Sequence, residues 1–432
     1  MKKRHWERMK RAFMLFTALL VFAKIAGAEE MVWPAGVVKL SETSVVMAPG
    51  TVKKLKLNGA SSGVKWSSSS KKTVTVGKTG KLTAKAKGTA SIVAKYKKQT
   101  YICSVTVKYM NHTTADKIRY KDSSGNFGKT GRWFKKDING KKYDFTSTDG
   151  SAIYFKVTGS KYVDIDFYWN TAVADPYFAY SVDGGNMKRQ LLTKKRISVG
   201  NTKTHYVRVL IDAISEYEDR WIGEAGVAIK KVKPVTKDGI VTAVTPKNPT
   251  IAFFGDSMTK GVRALNMELT PSGTSATHSY AWHCAKELKM TPYFVGYGGS
   301  GIIEQGSFQK CLSVISQASA HRKAESFDAD TVVVLHGTND VYTYGNMYIM
   351  EYKKVLEALH KKFPKAKVMA VIPFNQIHAD EIRAAGSAYK KWCTVVETAN
   401  WNLSYTDGMH PSAKGAERAG KKLAKKIRSV RK

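Results

Sequence analysis

Acidic residues are the scarcest class in this chain relative to their opposites. Its 432 residues hold 34 Asp and Glu against 71 Lys and Arg, a formal net charge of +37. So basic a protein attracts polyanions: nucleic acid, anionic lipid or an acidic wall polymer. Cysteine is also sparse. The four present, Cys103, Cys284, Cys311 and Cys393, form no C-x-x-C pair, and no His/Cys cluster has zinc spacing. A disulfide from Cys284 to Cys311 or Cys393 stays open beside four buried free thiols. A phosphate loop is missing as well. Gly128-Lys129-Thr130 would need glycine five residues before its Gly-Lys pair, and position 123 is Ser. No cofactor and no metal is therefore expected.

Long apolar runs are absent beyond the first 28 residues. Those begin with Lys2, Lys3, Arg4, Arg8, Lys10 and Arg11, continue through the apolar stretch Ala12 to Ala23, and end at Ala26-Gly27-Ala28. A basic start, a short apolar centre and small residues at a cleavage point define a secretory signal peptide. The apolar stretch falls short of the ~20 residues that span a bilayer. The expected mature protein is exported, secreted or held at a bacterial cell surface or wall, with no integral membrane segment. Export makes a wall or surface polysaccharide the expected polyanion in place of nucleic acid.

What is present is an ordered change of texture, and the length allows two or three domains, each with its own core. Residues 37–108 alternate short β-type runs (Val45 to Met47, Lys81 to Ala84, Ala90 to Ala94, Ile102 to Val107) with turn residues, which reads as a β-sandwich. They carry fifteen lysines against one acid, Glu42. Residues 115–245 are again strand-rich, with turns such as Val182-Asp183-Gly184-Gly185, and predict a second sandwich or jelly roll. Tyr168, Trp169, Tyr177 and Trp221 are its candidate sugar-stacking aromatics, with core packing as their commoner fate. Gly239 to Pro249 reads as a Pro-containing connector. From residue 250 to 432 apolar strands alternate with helical stretches, such as Phe308–His321 and Ala379–Trp392. That predicts a three-layer α/β domain with a parallel sheet, whose ligands bind at the carboxyl ends of the strands.

Four short blocks in that last region stand at element boundaries. Gly255-Asp256-Ser257 follows the buried strand Ile251–Phe254, where free N–H groups of a starting helix lie beside the serine. Gly298-Gly299-Ser300-Gly301 follows the second strand, and Gly337-Thr338-Asn339-Asp340 the third. Asp407-Gly408-Met409-His410-Pro411 precedes the last helix. A literal G-x-S-x-G, Gly59 to Gly63, lies instead between β-runs in a polar loop, without the strand-then-helix setting a nucleophile needs.

These blocks, in this order, resemble the SGNH/GDSL hydrolase family over residues 250–432. The resemblance implies Ser257 as nucleophile, His410 as general base and then acid, and Asp407 as the group orienting the imidazole. It also implies an oxyanion hole from the backbone N–H groups of Ser257 and Gly301 and the side-chain amide of Asn339. Acyl transfer requires these roles: an activated hydroxyl, a base of near-neutral pKa, and donors aimed at the developing oxyanion. Asp340 is expected to support its loop. His278, His283, His336, His360 and His378 are alternative imidazoles without an Asp-x-x-His turn; His336, at a strand end, is the one expected to line the site.

Two further resemblances bear on the substrate. Val64 to Ser69, Thr73 to Val76, Gly80 to Ala84 and Lys87 to Ile92 resemble the bacterial Ig-like domain, group two, which implies a surface module that could hold an anionic wall polymer. Gly131-Arg132-Trp133, Val182-Asp183-Gly184, His205 to Val209, the acidic cluster after it, and Gly226 to Ile229 resemble the N-terminal domain of carbohydrate esterase family two. That implies an esterase removing O-acetyl groups from a polysaccharide through an acyl-enzyme. The histidine turn here is Asp-x-x-His-Pro, closer to the wider SGNH pattern than to the Asp-x-His-Pro of that family. The rival expectations are a lipase or lysophospholipase, with Arg263 to His278 as a lid, and a non-catalytic wall-binding surface protein.

Overall fold

The computed structural model describes residues 38–303, 309–343 and 345–430. The signal peptide inferred for residues 1–28 lies outside them. Two all-β units precede an α/β unit. In the first, an antiparallel pair of long strands, Gly88–Tyr96 and Gln99–Val107, is flanked by Lys65–Ser68 and by the parallel strand Ser44–Met47. A three-stranded sheet of Val52–Lys54, Lys81–Ala84 and Val74–Val76 faces it. Every second residue points inward, so Val45, Met47, Leu82, Ile92, Cys103 and Val105 make the core. The polar loop Gly59–Gly63 is exposed here, as its setting predicted.

The second unit stacks an eight-stranded antiparallel sheet on a five-stranded one. Trp133, Phe155, Val163, Ile165, Phe178 and Val209 fill the space between them. Gly239 to Pro249 is not a connector. Ile240–Pro246 is a strand inside the larger sheet, bonded to Tyr120–Asp122 on one side and Phe155–Thr158 on the other. Its apolar residues Ile240, Val241, Ala243 and Val244 gain those partners only in three dimensions, and Pro246, at the strand end, needs no donor. Of the candidate sugar-stacking aromatics, Trp221 is buried edge-on against Tyr297. Trp169 donates to Asp175 (3.0 Å), and Tyr177 lies under the Arg189 guanidinium.

The α/β unit has five parallel strands: β1 (Thr250–Gly255), β2 (Thr291–Gly296), β3 (Thr331–Leu335), β4 (Lys367–Val371) and β5 (Cys393–Val396). Their spatial order is β2-β1-β3-β4-β5. All five are almost wholly apolar because helices cover both faces: α1 (Ser257–Lys260), α2 (Tyr280–Leu288), α3 (Cys311–Ser316), α4 (Asn346–Lys362), α5 (Ala379–Ser387) and α6 (Ala413–Val430). The chain reverses winding between β1 and β3, so a crevice opens above their carboxyl ends, the place where this topology holds ligands.

Two helices are shorter than their sequence periodicity suggests. The run from Phe308 to His321 yields α3 and then a small hairpin, Gln317–Ser319 with Arg322–Lys323. The second β unit stops the helix: the buried Arg132 guanidinium takes the carbonyls of Val314 and Gln317. α5 ends at Ser387 instead of Trp392, where Tyr389 and Trp392 close a turn leading into β5. The four cysteines are buried free thiols. Among the described residues, no helix is long and apolar enough to cross a membrane.

The second and third units share one core. Tyr120, Tyr154, Leu210 and Val244 of the sandwich join Phe253, Phe294 and Tyr280 of the α/β unit. Buried Asp212 adds polar ties, accepting from Arg189 (2.6 Å), Ser275 (2.8 Å) and the Thr277 N–H (2.9 Å).

Candidate active site

Ser257 is the first residue of α1, directly after β1. Asp256 caps the helix, its Oδ1 accepting the Met258 N–H at 3.0 Å. The cap sets the serine at the sharp exit of a buried strand, where its own N–H has no carbonyl a turn before it. Asp256 is fully buried with its second oxygen unpartnered. Burial and the nearby Asp340 push its carboxyl up to about 7, against the bond from Met258.

The histidine turn is folded on itself. Asp407 Oδ1 accepts the backbone N–H groups of Met409 (3.0 Å) and His410 (2.7 Å), and the Thr406 N–H meets the His410 carbonyl at 2.9 Å. The turn docks beside the serine through the Ala413 N–H, which donates to Ala264 at 2.8 Å. In consequence His410 Nε2 lies 2.9 Å from Ser257 Oγ, and His410 Nδ1 lies 2.7 Å from Asp407 Oδ2. The three-residue spacing lets one turn supply both imidazole and carboxylate. Both serine and histidine are 8% exposed, shielded but reachable.

Arg263 was not singled out by any motif. Its guanidinium donates to Asp407 Oδ2 at 2.7 Å. Burial would raise the Asp407 carboxyl, but the bonds from the His410 N–H, Arg263, the His410 ring and Met409 together hold it far below the ordinary carboxylate range. The carboxylate is therefore fixed in both charge and direction.

The other two blocks meet above β1 and β3. Asp340 is buried, and its carboxylate accepts the N–H groups of Ile302 (2.9 Å) and Ile303 (2.8 Å). A Cβ on Gly301 would fall 2.4 Å from Asp340 Oδ1, so this loop admits only glycine there. The Asn339 amide donates to the Ser300 carbonyl at 2.9 Å, which fixes the side chain and leaves its second N–H. His336 does not line the open site. It is wholly buried beneath the same carbonyl, with Nδ1 3.2 Å away, and burial lowers its pKa to about 4. His378 is buried, stacked on Tyr348, with Nε2 2.5 Å from the Asp340 carbonyl. His360 stacks on Trp392 at 4.1 Å, and His278 bonds Ser275.

A second group behind the serine also escaped sequence reasoning. Lys260, one turn along α1, is 2% exposed and pairs with Glu216 and Asp149 of the second sandwich. Arg220 completes the cluster, 3.5 Å from each acid. Gly298 leaves the room Glu216 occupies, since a Cβ there would meet its carboxylate. The only sequence signal for this cluster was the acidic run after Val209.

Residues 253–418 match the model of the GDSL-like Lipase/Acylhydrolase family. The α/β unit is thus similar to GDSL-like hydrolases over that span. Its fold is shared with solved family-two carbohydrate esterases. An acetyl xylan esterase from the rumen bacterium Butyrivibrio proteoclasticus superposes with a TM-score of 0.58 at 19% identity, covering 72% of this chain and 98% of that one. A family-two carbohydrate esterase from Cellvibrio japonicus gives 0.58 at 16% identity over 75% and 98%. Another from Clostridium thermocellum, in complex with cellohexaose, gives 0.56 at 15% over 70% and 98%. No curated protein matches the chain.

Proposed function

We propose that the chain is an exported serine esterase that removes O-acetyl groups from a polysaccharide. The observation that carries the chemistry is the continuous chain from Asp407 through His410 to Ser257, with both links under 3 Å. In this reading His410 takes the proton of Ser257 as the hydroxyl attacks the ester carbonyl. Asp407 holds the imidazole and stabilises its cation. The N–H groups of Ser257 and Gly301 and the remaining amide N–H of Asn339 receive the oxyanion. His410 then protonates the leaving sugar hydroxyl, and water releases acetate from the acyl-enzyme in a second, mirror-image attack.

The substrate class rests on company rather than on the triad. The superposition on the carbohydrate esterases above covers 70–75% of this chain, more than the α/β unit alone, and one of them is an acetyl xylan esterase. Xylan, glucomannan or a wall glycan would each supply acetylated hydroxyls. The basic first domain, Ig-like in its sequence blocks, would hold the enzyme to an anionic wall polymer. The lipase reading needs an apolar lid, and the segment after Arg263 folds instead into turns stitched by polar bonds, such as Thr270 to Ser272 at 2.9 Å.

Acetate release from a panel of acetylated glycans, including peptidoglycan, tests this function directly. Acetate from a glycan that is lost in Ser257→Ala is the expected result. Preference for long-chain over acetyl p-nitrophenyl esters would overturn it.

A further inference from the structure

The helix that presents Ser257, α1, is only four residues long. A single turn has little stability of its own, so its place is set by what holds its ends. Asp256 caps the first end. At the other, the buried Lys260 ammonium lies among groups of a different unit. It bonds the Glu216 carboxylate, Asp149 Oδ2 at 2.9 Å and the Ile214 carbonyl at 3.4 Å. Ile214 and Glu216 directly follow the sandwich strand His205–Ala213.

The same sandwich segment reaches the loop that carries Gly301. The Glu216 carboxylate fills the space over Gly298, where a side chain would collide with it. The Arg220 guanidinium lies 5.6 Å over the Tyr297 ring, and Trp221 packs edge-on against that ring at 5.7 Å. The Glu216 N–H donates to the Leu269 carbonyl at 3.1 Å, in the turns after Arg263. Burial acts to raise the Glu216 carboxyl, Lys260 and Arg220 hold it low, and the His410 imidazole adds to their effect. Charge thus reaches His410 from Asp407 on its own turn, from Arg263 through Asp407, and from Glu216 across the seam.

A buried ion cluster gains little over apolar side chains of similar volume. Two cations and two acids kept one turn from the nucleophile therefore point to a task beyond joining the domains. We propose that Glu216 is a positioning residue for the serine chemistry. Through Lys260 it fixes α1, and over Gly298 it fixes the loop of the Gly301 donor. Its negative charge favours the imidazolium that His410 becomes during attack. This role rests on the esterase reading above and makes the second sandwich part of the working site.

The test is Glu216→Gln in the full-length protein, read in two ways. One is p-nitrophenyl acetate kinetics below each variant's melting temperature. The other is NMR titration of the His410 ring, whose signal is identified by its loss in His410→Ala. Removing a carboxylate disfavours the imidazolium, so the ring titration and the acid limb of kcat/KM are expected to move to lower pH by about 0.5–1 pH unit. The kcat is expected to fall about 10- to 100-fold with KM nearly unchanged. The charge-balanced Glu216→Gln/Lys260→Met should return the titration toward wild type while kcat stays low, since α1 remains untethered. Arg189 pairs with Asp212 elsewhere on the seam. Arg189→Met should lower the melting temperature and leave the His410 titration in place. An unmoved titration in Glu216→Gln, an equal movement in Arg189→Met, or full kcat in the double variant would overturn the proposal. Turnover that survives Ser257→Ala would instead overturn the esterase reading, and the ring titration still decides the role of Glu216.

Discussion

The carboxylate of Glu216, carried by the second sandwich, bonds the ammonium of Lys260, three residues after Ser257 in the hydrolase domain. Asp149 takes the same ammonium at 2.9 Å, and Arg220 balances the cluster at two cations to two acids. The helix that presents the serine is thus fastened from another domain. Burial acts to raise the Glu216 carboxyl, but Lys260 and Arg220 outweigh it and hold it low. Its stabilisation is therefore present above the ordinary glutamate range and is lost as acid titrates it through its lowered value. Glu216→Gln leaves Lys260 underpaired in a buried place. Breaking such a pair costs about 3–5 kcal/mol, which lowers the melting temperature by several degrees in a thermal scan. An unchanged melting curve would show that the clamp is idle.

Ser257→Ala and His410→Ala are each expected to lower kcat on p-nitrophenyl acetate by about 10³–10⁶-fold, and the double variant no further, because the two act as a unit. Melting curves should stay near wild type. Strictly multiplicative losses would mean that the two groups do not share one proton transfer.

Arg263 and His410 compete for the same carboxylate oxygen of Asp407. Arg263→Met leaves that negative charge more fully to the imidazole and favours its protonated form. The acid limb of kcat/KM is expected to move to higher pH, with Arg263→Lys restoring part of the shift. Asp407 itself stays ionised through the mildly acid range, so Asp407→Asn should lower kcat by about 10⁴-fold without placing a new ionisation there. An acid limb that ignores Arg263→Met would remove this residue from the mechanism.

Asp256 bears on stability with the opposite sign. Its carboxyl is pushed up to about 7 in the folded protein, chiefly by burial. The native state then holds a proton that the unfolded chain has released, and stability falls as pH rises from the ordinary carboxylate range to about 7. Asp256→Asn cannot ionise and keeps a cap oxygen for Met258. Urea unfolding at pH 5 and pH 8 should show a smaller loss on the basic side for the variant than for wild type. Parallel losses would mean that Asp256 is ionised throughout.

Much of the candidate site's geometry was legible because it is local. Gly255-Asp256-Ser257 needs only a buried strand before it and a cap for the helix after it. Asp407 and His410 converge because three residues of turn separate them. The bond from Asp340 to the Gly301 loop was foreshadowed only as loop support, although a side chain at 301 would collide with that carboxylate. Elsewhere the pattern misled. Gly239 to Pro249 read as a linker until Tyr120 and Phe155 flanked it as sheet neighbours, and the Phe308–His321 periodicity could not reveal that Arg132 would claim its carbonyls.

The sequence by itself determined the texture of each domain, the strand ends on which chemistry stands, and the residue types that can perform acyl transfer. Periodicity, turn residues and short-range spacing carry that information within a few positions. Tertiary structure alone decided that Arg263 shares Asp407 and that Glu216 and Asp149 reach Lys260 across a domain seam. Those relations join groups tens to more than a hundred positions apart, and their strength comes from burial, which no local stretch of sequence displays.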